Sequence, residues 1–171
     1  EIKSSYRLLD IQEGDTVLDV GANIGAFSLY AEQQGATNIY SYEPDSDNFY
    51  LLNKNSPHSI NTQCAVVGDD SETVDLYINS KKNKGLHMTR KVNGRDAVKV
   101  KALNFDKIIK ERKPNKIKID VEGAEYGFMP YVFPDYVEKL VMEIHFQYDS
   151  SWRAKGKALH DSMLEQGFTA M

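Results

Sequence analysis

The chain has 171 residues, 41% of them hydrophobic and 27% charged, which suits one globular domain large enough to bury its own core. Its formal net charge of −4 argues against wholesale nucleic-acid binding, and no apolar run approaches the ~20 residues that cross a bilayer. The single cysteine, Cys64, excludes an intrachain disulfide and a cysteine-rich zinc site. It lies in an apolar stretch and reads as a buried small hydrophobe. With that one cysteine and no signal-peptide pattern, a reducing cytoplasmic setting is the expectation. No linker or repeat divides the sequence. One domain over 1–171 is expected, with 1–14 as a lead-in and 73–102 as an antiparallel insertion.

In chain order, residues 15–20 read as a first strand and 24–34 as a helix with Ile24, Phe27 and Ala31 on one face. A second strand is predicted over 38–43, then a helix over 46–54 closed by Asn55-Ser56-Pro57. A third strand spans 60–67, ending at Gly68-Asp69-Asp70. Two alternating segments, 73–79 and 97–102, bracket a basic loop. Asn104 caps a helix over 105–112 that turns Phe105, Ile108 and Ile109 inward. A strand at 116–121, a short helix from 123, a strand at 138–145 and a helix over 154–166 complete the chain. Strands alternating with helices at this spacing imply an α/β fold, a doubly wound, mostly parallel sheet with helices on both faces. Ligands of such sheets sit beyond the carboxyl ends of the strands. Asp19 to Gly25, Glu43, Ala65, Asp120 and Glu143 to His145 all fall at or just past those ends.

The segment Thr16 to Phe27, T-V-L-D-V-G-A-N-I-G-A-F, carries the clearest chemical signal. An apolar strand ends near an acid, Asp19, and Gly21, Asn23 and Gly25 then alternate into a helix. Gly21 and Gly25 let the backbone approach a ligand, and the helix N-terminus is expected to offer free N–H donors. A dinucleotide site wants G-x-G-x-x-G for its pyrophosphate. Here Asn23 and Ala26 stand at the second and third glycine positions. S-adenosylmethionine carries no phosphate, and an acid before the turn suits its cationic end, so it fits better. Its expected contacts are Asp19, Gly21, Ala22, Asn23, Gly25, Glu43, Ala65 and Asp120. Glu43 ends the second strand roughly twenty residues past the glycines, where a carboxylate takes both ribose hydroxyls. That role serves NAD equally, and a solvated acid at a strand end is the plain alternative.

Four ordered blocks make a specific resemblance: V-L-D-V-G-A-N-I-G-A-F-S (17–28), Y-S-Y-E-P-D-S-D-N (40–48), K-I-K-I-D-V-E-G-A-E (116–125) and V-M-E-I-H (141–145). Together they resemble the FkbM family of S-adenosylmethionine-dependent methyltransferases over roughly residues 15 to 170. The resemblance implies a Rossmann-like class I methyltransferase fold. It also implies S-adenosyl-L-methionine as cofactor, with S-adenosyl-L-homocysteine as product, and O-methylation of sugars or natural products. A class I sheet finishes with an antiparallel hairpin, which would begin where this chain reads Gly167-Phe168-Thr169-Ala170-Met171. Either the fold is abbreviated and lacks that hairpin, or its residues lie beyond this sequence.

Candidates for the proton-accepting group cluster after the later strands: Asp120, Glu122 and Glu125, then Glu143 and His145. Strand alternation places Glu143 and His145 on one face. His145 has the intrinsic pKa of a base working near neutrality, with a hydrogen-bonded structural histidine as the alternative. Asp120 is expected to line the cofactor or acceptor site; Glu122 and Glu125 either join it as candidate bases or cap and charge the short helix at Gly123. The same oxygens suit a divalent cation, but no tight ligand spacing demands a metal, and none is assigned. Between Lys81 and Lys101 lie eight basic residues, with Asp96 the only acid. They read as a solvated loop or as a collar for an anionic, sugar-linked acceptor. Tyr126, Tyr131 and Tyr136 are expected in the core or on the floor of a sugar pocket.

The leading expectation is thus an S-adenosylmethionine-dependent O-methyltransferase acting on a small hydroxylated acceptor, with Asp120, Glu122 and His145 facing that acceptor. The competing readings are a nicotinamide-dependent oxidoreductase and a non-catalytic cofactor-binding module. Oligomeric state is not legible.

Overall fold

A computed structural model describes residues 3–78, 89, 94, 96–128, 131–145 and 150–169. Its elements are β1 (Thr16–Val20), α1 (Ala26–Gln33), β2 (Asn38–Tyr42), α2 (Ser46–Asn55), β3 (Ile60–Thr62), β4 (Ala65–Val67), β5 (Thr73–Tyr77), β6 (Ala97–Asn104), α3 (Phe105–Arg112), β7 (Lys116–Ile119), β8 (Lys139–Met142) and α4 (Ser150–Glu165). Two 3-10 turns, Ser4–Leu9 and Ala124–Gly127, supplement them.

Five strands form a parallel sheet in the order β3-β2-β1-β7-β8. Strand alternation divides its side chains between two cores. Val17 and Ile39 pack with Phe27 and Ala31 of α1 and with Leu9 and Ile11 of the lead-in. On the other face, Leu18, Val20, Ile117 and Ile119 meet Phe105, Ile108 and Ile109 of α3. The inward face expected for α3 is therefore correct, and so is its cap: the Asn104 side chain accepts from the Lys107 N–H at 3.1 Å. The lead-in is part of the domain body, since Leu9 is fully buried.

Five sequence-based boundaries are corrected. The strand expected over 60–67 is two strands, because the chain turns at Gln63 and the Cys64 N–H reaches back to the Thr62 carbonyl. β3 stays at the edge of the parallel sheet, whereas β4 joins a second sheet ordered β4-β6-β5. There β5 and β6 run antiparallel, as the 73–102 pattern implied. α1 starts at Ala26 rather than 24, because Asn23 (φ 52°) and Gly25 (φ 85°) are left-handed. Ile24 consequently sits in the turn and is exposed. β7 stops at Ile119 rather than 121. β8 stops at Met142 rather than 145, so Glu143 to His145 have left the ladder. Finally α4 begins at Ser150, ahead of the 154 expected.

No strand follows α4 among the described residues. None of their helices is long and apolar enough to cross a membrane. Of the basic loop, Lys81, Lys82, Lys84, Arg90, Lys91 and Arg95 lie outside the described residues, while Lys99 and Lys101 stand exposed on β6.

Candidate active site

The strand order reverses between β1 and β7, and in a sheet of this kind the crevice opens there, beyond the carboxyl ends. A cavity of about 470 Å³ occupies that position, within the ~300–1,000 Å³ range of small-molecule sites. Its wall is built from the Gly21–Ile24 turn, the end of β2 at Glu43, Ala65 on β4 and the Asp120–Glu122 segment after β7. The lead-in closes one side with Lys3 and Tyr6.

The turn is pinned from below. Gly21 has φ +78°, and a Cβ there would stand 1.9 Å from the Asp120 carbonyl oxygen, so no side chain fits. The Gly21 and Ala22 N–H groups both donate to the Tyr42 carbonyl at 3.0 Å. The Asn23 N–H donates to Glu43 at 2.8 Å, the Ile24 N–H to the Asn23 side chain at 2.7 Å, and the Gly25 N–H to the Ala22 carbonyl at 2.9 Å. The N–H groups from Gly21 to Gly25 are therefore already used, and the helix N-terminus expected to offer free donors begins after them, at Ala26. Left-handed residues fold the turn back onto β2 instead of fanning its amides toward a ligand.

Glu43 is almost fully buried yet borders the cavity. Its oxygens accept from the Asn23 N–H at 2.8 Å and the Asp45 N–H at 2.9 Å, and the Asn48 side chain adds a third bond. Of roughly four lone-pair sites, about one is left for a ligand. Burial raises its pKa to about 7, against the pull of those donors.

Asp19 does not line the cavity. It is fully buried beneath the turn, where β-sheet register sets it between Ser41 and Lys118. Lys118 forms an ion pair with it at 3.0 Å and donates to the Gly21 carbonyl at 2.6 Å. Ser28 of α1 donates to the other carboxylate oxygen at 2.6 Å. Burial works against the Lys118 charge, but Asp19, Tyr6 and Asp120 together outweigh it and the ammonium titrates above its ordinary range. Gly25 likewise stands behind the wall, against Leu52. Ala22, Asn23 and Ala65 do face the cavity.

On the opposite wall, Glu122 adopts φ 51°, a conformation that costs a non-glycine residue on the order of 1–3 kcal/mol. Burial raises its pKa, and Asp120 and Glu143 add to that effect against His145. Asp120 experiences the opposite balance. Burial would raise it, but Lys118 and Lys3 hold it below the usual carboxylate range. The Lys3 ammonium bridges Asp120, at 3.1 Å, and Glu143.

His145 lies behind this wall, not in it. Nε2 stands 3.5 Å from Glu122, 3.9 Å from Glu143 and 4.0 Å from Asp120. The expected proximity of Glu143 and His145 exists, but it arises from the chain leaving the sheet rather than from strand alternation. Burial lowers the His145 pKa, yet the Glu125 bond and charge, with Glu122 and Asp120, leave it raised overall.

One ligand atom each from Asp120, Glu122 and His145 fall within 4.8 Å of one another. Lys3 already supplies a positive charge to the same acids, and no metal is assigned.

The tyrosines are not pocket floor. Tyr131 and Tyr136 bond Asp106 and the Ile109 carbonyl, Tyr131 stacks edge-on against Phe105, and Tyr126 donates to the His145 carbonyl. Cys64 is buried, as expected, and burial pushes its thiol up to about 12.

Sequence reasoning overlooked Lys3, Tyr6 and Lys118. For Lys118 a signal existed: in K-I-K-I a lysine alternates with apolar residues in a strand closed in on both faces. A buried charge there demands an opposite partner.

These features define a Rossmann-like α/β domain with a ligand crevice at its topological switch point. The family model described as Methyltransferase FkbM domain matches residues 19–169, and the chain belongs to the FkbM methyltransferase family. The blocks from Asp19 onward that carried the resemblance fall inside that match.

Two solved structures are similar in part. One is a TehB-like SAM-dependent methyltransferase from Corynebacterium glutamicum, 22% identical, with TM-score 0.34 over 37% of this chain and 35% of that one. The other is methyltransferase FkbM from Methylobacillus flagellatus, 18% identical, with TM-score 0.48 over 74% of this chain and 32% of that one. The match thus covers about a third of the length of each of those structures. No curated protein matches the chain significantly.

Proposed function

We propose that this domain binds S-adenosylmethionine in the crevice and directs its methyl group to a hydroxyl of a small neutral acceptor, such as a sugar. The observation that carries the reading is the turn itself. From Gly21 to Gly25 every N–H is engaged within the protein, so the turn itself offers no amide to a pyrophosphate, a role left to the N-terminus of α1 at Ala26, and a phosphate-free nucleoside suits it better. This favours the methyl donor over a nicotinamide dinucleotide.

The bound sulfonium supplies an activated methyl group, so the chain's own residues need only orient, exclude water and receive a proton. Glu43 accepts from the ribose, while Ala22, Asn23 and Ala65 shape the nucleoside wall. Asp120 and Glu122 face the acceptor, and His145 stands behind them as the proton's destination. A positioned base contributes ~10²–10⁴-fold. The acidic wall disfavours an anion at the transfer point, so of the two acceptor chemistries a neutral polyol is preferred.

Calorimetric titration with S-adenosylmethionine and S-adenosylhomocysteine, with NAD as control, tests the reading. Micromolar binding of the first two, lost in Gly21→Val, is expected. Binding of NAD alone would replace the assignment with an oxidoreductase.

A further inference from the structure

Glu125 is the carboxylate of this region that reaches neither solvent nor cavity, being 0% exposed and absent from the cavity wall. A cap for the short helix would need one of its oxygens, and Oε2 performs that task by accepting from the Gly123 N–H at 2.8 Å. Oε1 is committed elsewhere. It accepts from the His145 backbone N–H at 2.8 Å and faces the His145 Nδ1 at 3.2 Å. Next in sequence, Tyr126 donates to the His145 carbonyl at 3.1 Å. Two adjacent residues therefore grip both backbone polar groups of a histidine that has already left the sheet.

An ionised carboxylate accepts hydrogen bonds and has none to give. The hydrogen between Oε1 and Nδ1 therefore belongs to the ring; without it two lone pairs would face each other in a buried space. With Nδ1 protonated, the lone pair of the neutral imidazole is on Nε2, the nitrogen turned toward Glu122, Asp120 and Glu143.

We propose that Glu125 is the positioning residue that selects this tautomer and fixes the ring plane, so that the proton leaving the acceptor ends on Nε2 of His145. The inference rests on the O-methylation reading for its purpose, though not for its geometry. As the acceptor O–CH3 bond forms, its O–H bond breaks and the S–CH3 electron pair stays on sulfur. Glu122, on the cavity wall, receives the proton and passes it across its 3.5 Å approach to Nε2. The resulting imidazolium faces the Glu125 carboxylate, which stabilises its charge, and the proton leaves to solvent with the products. Asp120, Glu122 and Glu143 face Nε2, Glu125 faces Nδ1, and Lys3 tempers the charge of Asp120 and Glu143. The raised pKa of His145 agrees with this surplus of acids.

The first test needs no activity. In ¹⁵N-histidine-labelled wild-type protein, with His145 assigned by its loss in His145→Gln, Nδ1 should stay protonated while Nε2 titrates above the ordinary histidine range. A neutral form carrying its hydrogen on Nε2 would overturn the proposal.

The second test is Glu125→Gln, with folding checked by circular dichroism. Its kcat should fall about 10²-fold with the acid limb of the pH–rate profile moved to lower pH. The Kd for S-adenosylmethionine should stay within about twofold, because Glu125 does not line the cavity. An unchanged tautomer and unchanged limb would sink the idea. If Glu125→Gln does not fold, the wild-type tautomer alone decides. Absence of any methyl transfer by wild type would defeat the O-methylation reading and leave the tautomer result standing separately.

Discussion

Glu43 shows how one side chain serves both the fold and the ligand. Its carboxylate ties the end of β2 to the glycine turn through Asn23 and Asp45. Burial nevertheless lifts its pKa to about 7. The sign of the resulting pH dependence follows directly. Below about pH 7 the carboxyl is protonated and loses acceptor capacity, so affinity for a ribose-bearing ligand should fall as pH drops from 8 to 6. A ribose hydroxyl donating to the ionised form lowers the pKa in the complex, so binding at pH 7 should release up to about half a proton. Calorimetry in buffers of different ionisation enthalpy reads this release, and an enthalpy independent of buffer would refute it. Glu43→Ala should raise the Kd at least about tenfold, the worth of one charged hydrogen bond.

Elements here meet at points where no side chain fits, and at one where opposite charges are buried as a pair. The end of β4 crosses the 3-10 turn at Gly68, whose added Cβ would lie 2.0 Å from the Gly127 carbonyl oxygen. That oxygen and the Gly127 carbonyl carbon, 2.8 Å away, belong to backbone, so neither can step aside. Gly68→Ala should therefore cost more than about 2 kcal/mol in urea unfolding, with the helical far-ultraviolet signal retained at zero denaturant. A cost near zero would mean that the two segments separate easily. The Asp19–Lys118 pair joins β1 to β7 below the turn. Lys118→Met strands a buried carboxylate and should destabilise by about 3–5 kcal/mol. Adding Asp19→Asn should recover part of that loss, and strict additivity of the two substitutions would show that they do not interact.

Across the whole molecule, the cavity is assembled from segments far apart in sequence, with Lys3 and Tyr6 arriving from the lead-in to face Asp120 and Glu122. The lead-in is anchored by Leu9, fully buried in the core that also holds Phe27 and Val17. Leu9→Ala should cost about 2–5 kcal/mol. Because this core underlies the turn, the domain should still unfold in one transition, which saturating S-adenosylmethionine shifts upward by about 2.7 kcal/mol at a hundredfold excess over Kd. Separate melting of the lead-in, ahead of the sheet, would contradict that coupling.

The sequence by itself determined the parallel α/β class, the strand–turn–helix at Thr16 to Phe27, the α3 cap and inward face, and the FkbM relationship. These are properties of periodicity, local sterics and ordered blocks, which a short window of residues contains. Tertiary structure alone decided where the site's polar groups point. Asp19 was legible as an acid before a glycine turn, but its partner stands 99 positions away, and only register between β1 and β7 brings Lys118 beneath it. His145 was legible as a candidate base. That it stands behind the Asp120–Glu122 wall, turned by Glu125, depends on where β8 ends and on the 3-10 turn beside it. The splitting of 60–67 between two sheets has the same cause: an apolar run states that it will be buried, while packing chooses its neighbours.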